Sequence, residues 1–376
     1  MTKKLTIVQM LPELRGGGVE RGTLEMAKYL VSHGHRSIVI SGGGEMVEQL
    51  TNDGSEHIQW PIGKKSLATL RYISKVKKML QQEKIDILHL RSRLPAWVGY
   101  LAWKKLQKNA RPKLVTTVHG FYSVGKYSSI MARGEKVIAV SECIRAYILK
   151  NYTFANPSNV QVICRGVDGE TYPLGYAPNQ TWIDDWHVKF PQMVGKELLT
   201  LPARLTRLKG HADFITIIDT LVKAGENVHG VIVGGTHPTK AGYARELQQQ
   251  VAQLGLQSHI TFVGHRRDLK EILAIATIVY SLSTTPESFG RTTLEALSMG
   301  KPVIGYSHGG VQEQLTQLFP IGLVPVGAIQ KAIEKTKGFL TEPPTLQKQD
   351  SYTLDSMCSQ TLKLYQCLSK CEVQPQ

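Results

Sequence analysis

Residues 286–304 read PESFGRTTLEALSMGKPVI, and the rest of the chain can be interpreted outward from this stretch. A Ser/Thr-rich approach, Gly290, helical spacing from Arg291 and a closing Gly-Lys-Pro before an apolar segment predict a loop, a helix, a turn and a strand. Glu287 lies in the loop, and Glu295 lies about two turns inside the helix. Two carboxylates therefore flank the predicted helix start.

The same helix start can bind an anion. The amides of Phe289, Gly290 and Arg291 are unpaired donors of a helix beginning, and the helix dipole reinforces them. Carboxylates accept hydrogen bonds from sugar hydroxyls, so the stretch favours a ligand with both hydroxyls and phosphate, such as a nucleotide sugar. For an arbitrary pair of glutamates, the alternative is that Glu295 faces solvent and Glu287 is a loop charge or cap.

The whole string resembles the E-x7-E signature of the retaining glycosyltransferases of family 4, which adopt the GT-B fold. The resemblance implies a nucleotide-diphosphate sugar donor and transfer of the sugar to a hydroxyl with retention. Glu287 would then orient the transferred sugar and Glu295 the ribose hydroxyls, with residues 289–291 at the phosphate. Residues 281–285 lack the common Pro-Ser, and Arg291 stands where many members have an apolar residue. Because the Phe-Gly-Arg form is similar to members that build lipopolysaccharide cores and other surface glycans, that acceptor class is preferred.

The length of 376 residues and the alternation of apolar strands with helical segments predict a two-domain α/β protein with doubly wound, mostly parallel sheets. With the resemblance, the expectation is GT-B, with two Rossmann-like domains facing across a cleft. We expect an acceptor-side domain at residues 1–165, a connection at 166–195 and a donor-binding domain at 196–350. A final helix in residues 351–376 would pack back on the N-terminal domain.

Two features of the predicted N-terminal domain follow strands. Gly17 and Gly18, between an apolar strand and a helix, suit close approach of a phosphate, but no G-x-G-x-x-G or Walker pattern is present, so a mere tight turn is the alternative. His119 follows the strand at 114–118 and should lie at the open rim of the sheet. Alone it would be an ordinary rim histidine. Its TVHG context resembles the family, where a histidine lies beside the reacting sugar. Of the glycine loop, Gly17 and Gly18 are assigned to donor binding.

Residues 203–210 read ARLTRLKG and predict a strand-to-helix loop. Arg204 and Lys209 could converge on a diphosphate, although such basic loops are usually only solvent-exposed. Their spacing matches the diphosphate-binding pair of the family, in which these cations replace a metal at the leaving group. The expected catalytic residues are therefore His119, Arg204, Lys209 and Glu287, with no metal and no cofactor. Asp184 and the acid beside it are interpreted as solvated linker charges.

The net charge of +15 is confined to one region. Residues 61–150 contain nineteen Lys and Arg against four acids, which accounts for the whole excess. A predicted amphipathic helix in this region carries six basic residues and five apolar residues: Lys64, Lys65, Arg71, Lys75, Lys77, Lys78, and Leu67, Leu70, Ile73, Val76, Leu80. It is either a core-packing helix with a solvated outer face or a surface for an anionic membrane leaflet or acceptor. Nucleic acid is disfavoured because no recognisable binding module accompanies the charge.

No apolar run approaches the roughly 20 residues of a membrane span, and Pro12, Glu13 and Arg15 interrupt the first apolar segment. Five cysteines without metal-binding spacing favour a reducing compartment. The expected location is therefore cytoplasmic, peripheral at the inner face of the cytoplasmic membrane, with a glycolipid or glycan acceptor. Two alternatives stay open: a non-transferase GT-B enzyme such as a nucleotide-sugar epimerase, and a non-catalytic anionic-membrane binding protein.

Overall fold

The computed structural model describes residues 3–235 and 241–370. The chain divides into two compact units, one made of Met1–Gly166 with Leu354–Gln376 and the other of Val167–Thr353. Each unit contains one parallel sheet with helices packed on it, as the alternation of strand and helix patterns predicts.

The first unit has a seven-stranded parallel sheet in the order β3-β2-β1-β4-β5-β6-β7. Its strands are β1 Thr6–Met10, β2 Arg36–Ser41, β3 Glu56–Gln59, β4 Ile87–Leu90, β5 Lys113–Val118, β6 Lys136–Ala139 and β7 Val160–Val162. Its helices are α1 Gly18–Ser32, α2 Val47–Asn52, α3 Arg71–Gln82, α4 Arg93–Lys104, α5 Glu142–Asn151 and, from the end of the chain, α13 Leu354–Lys370. The central strands are buried on both faces and are correspondingly rich in Val, Ile and Leu.

Helix α13 belongs to the first unit although it follows the second in sequence, which confirms the predicted return of the C-terminal helix. Its Cys358 and Tyr365 are fully buried against Leu5 and Ile7 at the start of the sheet. The Tyr365 hydroxyl lies 2.6 Å from Nδ1 of the buried His89 on β4. The final helix therefore completes one face of the N-terminal sheet.

The second unit has a six-stranded parallel sheet in the order β10-β9-β8-β11-β12-β13. Its strands are β8 Glu197–Pro202, β9 Val228–Val233, β10 Ile260–Gly264, β11 Ile278–Ser281, β12 Val303–Tyr306 and β13 Leu323–Val324. Its helices are α6 Gln180–Lys189, α7 His211–Lys223, α8 Ala241–Gln253, α9 Leu269–Ile275, α10 Arg291–Ser298, α11 Gly309–Leu318 and α12 Ile329–Thr341. Strand order reverses between β8 and β11, and ligands bind at such switch points in open α/β sheets.

Residues 167–195 differ from the predicted connection, because they belong to the second unit. The Asn179 side chain accepts a hydrogen bond from the Trp182 amide at 2.8 Å and caps α6. Trp182, Trp186 and Phe190 recur every four residues; the first two rings stack with centroids 5.1 Å apart, and the Phe190 ring is tilted against Trp186 at 4.5 Å. This aromatic stripe packs on Val231 and other sheet residues, so the stretch is part of the core of the second unit.

The basic segment also differs from the predicted continuous helix. Residues Leu67–Leu70 form a 3-10 turn capped by the Ser66 hydroxyl, and α3 begins only at Arg71. The side chains of Leu67 and Leu70 are 85% and 54% exposed, whereas α3 buries Ile73, Val76 and Leu80. The predicted apolar stripe is therefore wrong at its first two positions.

Candidate active site

The loop after β8 carries Arg204 and Lys209 at the edge of the second sheet. Lys209 ends a 3-10 turn, and Gly210 follows with a left-handed backbone, φ +71°. A side chain at position 210 would collide with the backbone of Leu282, so glycine lets this loop lie against the end of β11. Arg204 is exposed and has no ion-pair partner among the described residues. The loop thus presents two cations beside the switch point.

Glu287 lies directly beside Lys209. The Lys209 Nζ donates to Glu287 Oε1 at 2.7 Å, and the Ser283 hydroxyl donates to the same oxygen. Burial raises the pKa of Glu287, but the Lys209 charge and these hydrogen bonds outweigh it, so the pKa lies below its ordinary value. Glu287 is therefore an ionised carboxylate at neutral pH and accepts hydrogen bonds.

The start of α11 holds the loop that carries Glu287. The Gly310 amide donates to the Glu287 carbonyl at 2.7 Å, and His308 Nε2 donates to the Ser283 carbonyl at 2.6 Å. Gly310 packs directly on the backbone of Phe289, where a Cβ atom would collide. The glycines at the start of α11, together with His308 before them, therefore hold the Glu287 loop in place.

Helix α10 begins at Arg291, with Gly290 as its N-cap in a left-handed conformation, φ +89°. A Cβ on Gly290 would lie 2.7 Å from Val311, so both backbone angle and space require glycine here. The first-turn amides of Thr292 and Thr293 have no carbonyl partner within the helix. Gly290, one of the predicted donors, is the N-cap and Arg291 is the first helical residue, so the amides of both also lie at this helix start.

Glu295 is 2% exposed, which excludes the solvent-facing alternative for this residue. Arg291 Nε donates to Glu295 Oε1 at 3.0 Å across one turn of α10. Phe289 is likewise buried, with its ring 5.8 Å from that of Tyr352. The Phe289 side chain therefore serves packing.

A cavity of about 230 Å³ joins most of these groups within the second unit. Four of the predicted site residues line it: Arg204, Lys209, Glu287 and Gly290. The main additional lining residues are Ser283, Thr292 and Thr293. Three other predicted residues are not among the described residues that line the cavity: Phe289, Arg291 and Glu295. The cavity thus combines two cations, one carboxylate and a helix N-terminus.

The other predicted residues, Gly17, Gly18 and His119, lie together in the first unit. Gly17 caps α1 and Gly18 is its first residue. His119 follows β5, and its amide donates to the Tyr122 hydroxyl at 3.2 Å. Burial, with the charge of Arg165 next in weight, lowers the pKa of His119 well below its ordinary value. Its imidazole is therefore neutral.

Comparison with known proteins shows the family to which this chain belongs. Residues 16–171 match the family model described as Glycosyltransferase Family 4, and residues 183–354 match Glycosyl transferases group 1. The two matches together account for most of the chain. This chain belongs to glycosyltransferase family 4.

Solved structures of glycosyltransferases share the fold. A glycosyltransferase from Rickettsia africae ESF-5 superimposes with a TM-score of 0.86 at 29% identity, covering 98% of this chain and 100% of that one. HepE of Anabaena, in complex with UDP and glucose, gives a TM-score of 0.75 at 21% identity and covers 97% of both chains. WaaG, involved in lipopolysaccharide biosynthesis, gives 0.65 at 17%, covering 98% of this chain and 96% of its own. The family 4 chain therefore has the GT-B fold.

In this family 4 glycosyltransferase, sequence reasoning missed Ser283, His308 and Arg165. Ser283 lies in the same loop as Glu287 and donates to its carboxylate, whereas His308 contacts the Ser283 carbonyl from the segment that follows β12. Arg165 follows β7 and carries no motif that assigns it a role. Its partners, His119 and Gly18, lie 46 and 147 residues away in sequence.

The described residues of this family 4 chain contain no group of three or more His, Cys, Asp or Glu side chains that could hold a metal ion. None of the helices within residues 3–235 and 241–370 has the length and apolar character to cross a bilayer.

Proposed function

We propose that this chain transfers a sugar, with retention, from a nucleotide-diphosphate sugar to a hydroxyl of a lipopolysaccharide-core or other surface-glycan acceptor. UDP sugars are the first donors to test, because HepE binds UDP and glucose. The acceptor class rests on the Phe-Gly-Arg form of residues 289–291, and WaaG, which shares the fold, takes part in lipopolysaccharide biosynthesis.

The observation that carries this proposal is the Lys209–Glu287 ion pair inside the cavity that Arg204 also lines. Two cations and the first-turn amides of α10 suit a diphosphate, while an ionised carboxylate 2.7 Å from one cation suits the hydroxyls of an attached sugar. A nucleotide-diphosphate sugar carries both groups at this spacing. Lys209 would exchange its carboxylate partner for phosphate when the donor binds.

The chemical roles follow from charge. Arg204, Lys209 and the helix amides stabilise the negative charge that develops on the departing diphosphate, so the transfer needs no metal. Glu287 orients the transferred sugar, Glu295 accepts from the ribose hydroxyls, and His119 donates to the sugar. We infer front-face attack, in which the departing phosphate takes the proton of the acceptor hydroxyl as the new glycosidic bond forms. No side chain is assigned as a covalent nucleophile.

The basic region supplies a surface for the membrane on which a lipid-linked acceptor would lie. Lys64, Lys65, Arg71, Lys75 and Lys78 are exposed around the 3-10 turn and along α3. The exposed side chains of Leu67 and Leu70 lie on the same turn. Basic charge beside exposed leucines suits binding at the interface of an anionic bilayer, peripheral at the cytoplasmic face.

A donor screen tests the proposed chemistry. UDP, GDP, ADP and CMP sugars should be added to the purified protein and to its Lys209→Met variant, and thermal unfolding followed. A ligand that binds only the native state raises Tm. At a concentration of 100 times Kd it adds about 2.7 kcal/mol to the free energy of unfolding. One donor should stabilise the wild type and lose that effect in the variant. No shift with any diphosphate sugar would contradict the proposal.

The anomeric configuration of the product tests retention separately. Nuclear magnetic resonance of the transferred sugar should give the same anomeric form as the donor. Inversion would refute the front-face mechanism while leaving transferase activity intact. Interconversion of the donor without any acceptor would favour the epimerase alternative.

A further inference from the structure

Arg165 contacts both functional features of the first unit. Its side chain is 8% exposed, and one terminal nitrogen lies 2.7 Å from Nδ1 of His119. The other terminal nitrogen donates to the carbonyl of Gly18, at the start of α1. One guanidinium thus links the histidine after β5 to the glycine loop after β1.

The chemistry of this contact determines which ring nitrogen of His119 carries the proton. A guanidinium has only N–H donors and keeps its charge in proteins, so Nδ1 of His119 must accept. A neutral imidazole that accepts at Nδ1 carries its proton on Nε2. A doubly protonated ring would place an N–H against the N–H of Arg165. Only the neutral Nε2–H form fits the observed distance.

The surroundings of His119 favour the same state. The charged and titratable groups that face it are Arg165 after β7, His89 on β4, Arg91 directly after β4, and Tyr122 from the loop that follows β5. Both arginines oppose a positive charge on the ring, and no carboxylate is among the groups that shift its pKa. Nε2 is buried and has no hydrogen-bond partner within the described residues. A donor is therefore held ready for a ligand atom.

The packing around His119 leaves room for both arginine side chains. Arg91 is 6% exposed and donates to Oε1 of the buried Gln9 at 2.8 Å. A Cβ on Gly22 of α1 would lie 3.2 Å from the Arg165 guanidinium and 3.3 Å from that of Arg91. Glycine at this helical position makes room for two buried guanidinium groups beside the imidazole.

We propose that Arg165 is a positioning residue, which locks His119 as the neutral Nε2–H tautomer so that the ring presents a hydrogen-bond donor to the transferred sugar. The proposal rests on the proposed function for what the donor binds. The tautomer itself is a property of the resting protein, which separates the two ideas experimentally.

Selective labelling of histidine with ¹⁵N tests the tautomer without any substrate. The His119 signals are assigned by their loss in His119→Gln, and spectra are taken from about pH 5 to pH 8. The wild type should show a bare Nδ1 and a protonated Nε2 throughout. Arg165→Met should give mixed tautomers and a ring that titrates closer to its ordinary range. A wild-type ring protonated at Nδ1 would overturn the proposal.

Arg165→Lys is the second variant, because an ammonium is also a donor without acceptor capacity. It should keep the Nε2–H tautomer where Met does not. Circular dichroism and Tm establish that each variant is folded. Arg133→Met, an exposed arginine of the same unit, is the matched control and should leave the His119 signals unchanged.

A double-mutant cycle tests whether Arg165 acts through His119. Arg165→Met should lower kcat/KM about tenfold, the effect of one misplaced hydrogen bond, and change it less than about twofold in the His119→Gln background. Equal losses in both backgrounds would overturn the positioning role. If the tautomer is as expected but His119→Gln keeps full activity, the sugar contact of the proposed function fails while the locking of the tautomer stands.

Discussion

Replacing Lys209 with Met should remove most of the turnover and leave the second unit folded. The Lys209 side chain is 25% exposed, lines the cavity, and is held 2.7 Å from the Glu287 carboxylate. Loss of one preorganised donor to a developing negative charge typically costs about 2.7–4 kcal/mol, or roughly 10²–10³ in kcat. We expect a loss of that size, because the cation would face the departing diphosphate from a largely desolvated position.

The same substitution should change the pH dependence of the residual activity. In the wild type, burial raises the pKa of Glu287 and the Lys209 charge is the foremost opposing influence, with the net pKa below its ordinary value. Without Lys209, burial dominates and the pKa rises. Since Glu287 must be ionised to accept from the sugar, kcat/KM of the variant should fall as pH is lowered through the raised pKa. The wild type should show this fall only at lower pH.

Arg207→Met is the matched control, because Arg207 lies on the same 3-10 turn. Its side chain is 69% exposed and pairs with Glu246 on the surface, so its removal should cost at most about 1 kcal/mol of stability. The assay follows release of the nucleoside diphosphate at several pH values. If Lys209→Met stays within about threefold of both the wild type and Arg207→Met, Lys209 is not part of the diphosphate site.

Three further predictions follow from the proposed function. Glu295→Gln should weaken nucleotide binding about tenfold by calorimetry, as expected for one charged hydrogen bond lost, while the exposed Glu334→Gln leaves it unchanged; unchanged affinity in both would remove the ribose role. EDTA should leave turnover unaltered, and a loss that Mg²⁺ restores would contradict the metal-independent mechanism. The protein should sediment with phosphatidylglycerol vesicles at low salt and little with phosphatidylcholine, since each well-placed cation contributes about 1 kcal/mol. Changing five lysines of the basic region to Gln should abolish this binding: Lys64, Lys65, Lys75, Lys77 and Lys78. The control variant changes five lysines of the second unit to Gln and should still bind: Lys189, Lys223, Lys331, Lys337 and Lys348. Equal binding of the two variants would show that the basic surface does not bind the membrane.

The sheets were predictable because their strands are short apolar runs bounded by turn residues. The observed β5, Lys113–Val118, begins one residue before the predicted strand at 114–118 and ends with it. Helix α6 was not predicted, since its stripe is made of three aromatics in a polar segment rather than a run of aliphatic residues. At Leu67 and Leu70 the helical spacing is present, yet the 3-10 turn directs both side chains to solvent. Spacing alone does not determine which face is covered.

The site was predictable where its residues are close in sequence. Arg204 and Lys209 come from one loop, and Glu287 and Gly290 from another, and the structure brings all four to one cavity. Helix α10 begins at Arg291, where its sequence spacing predicts, with the left-handed Gly290 as its cap. The burial of Glu295 and the contacts of His308 and Arg165 depend on tertiary packing, which a single sequence does not encode locally.

The membership of α13 in the first unit has a consequence for biosynthesis. Leu5 and Ile7 are translated long before Cys358 and Tyr365, which cover them. The ribosome must translate the entire second unit, Val167–Thr353, before that cover exists. At about 5–20 residues per second this interval lasts roughly 10–40 s. During it, one face of the nascent N-terminal sheet stays exposed to chaperones and to other nascent chains, and the domain that is begun first is completed last.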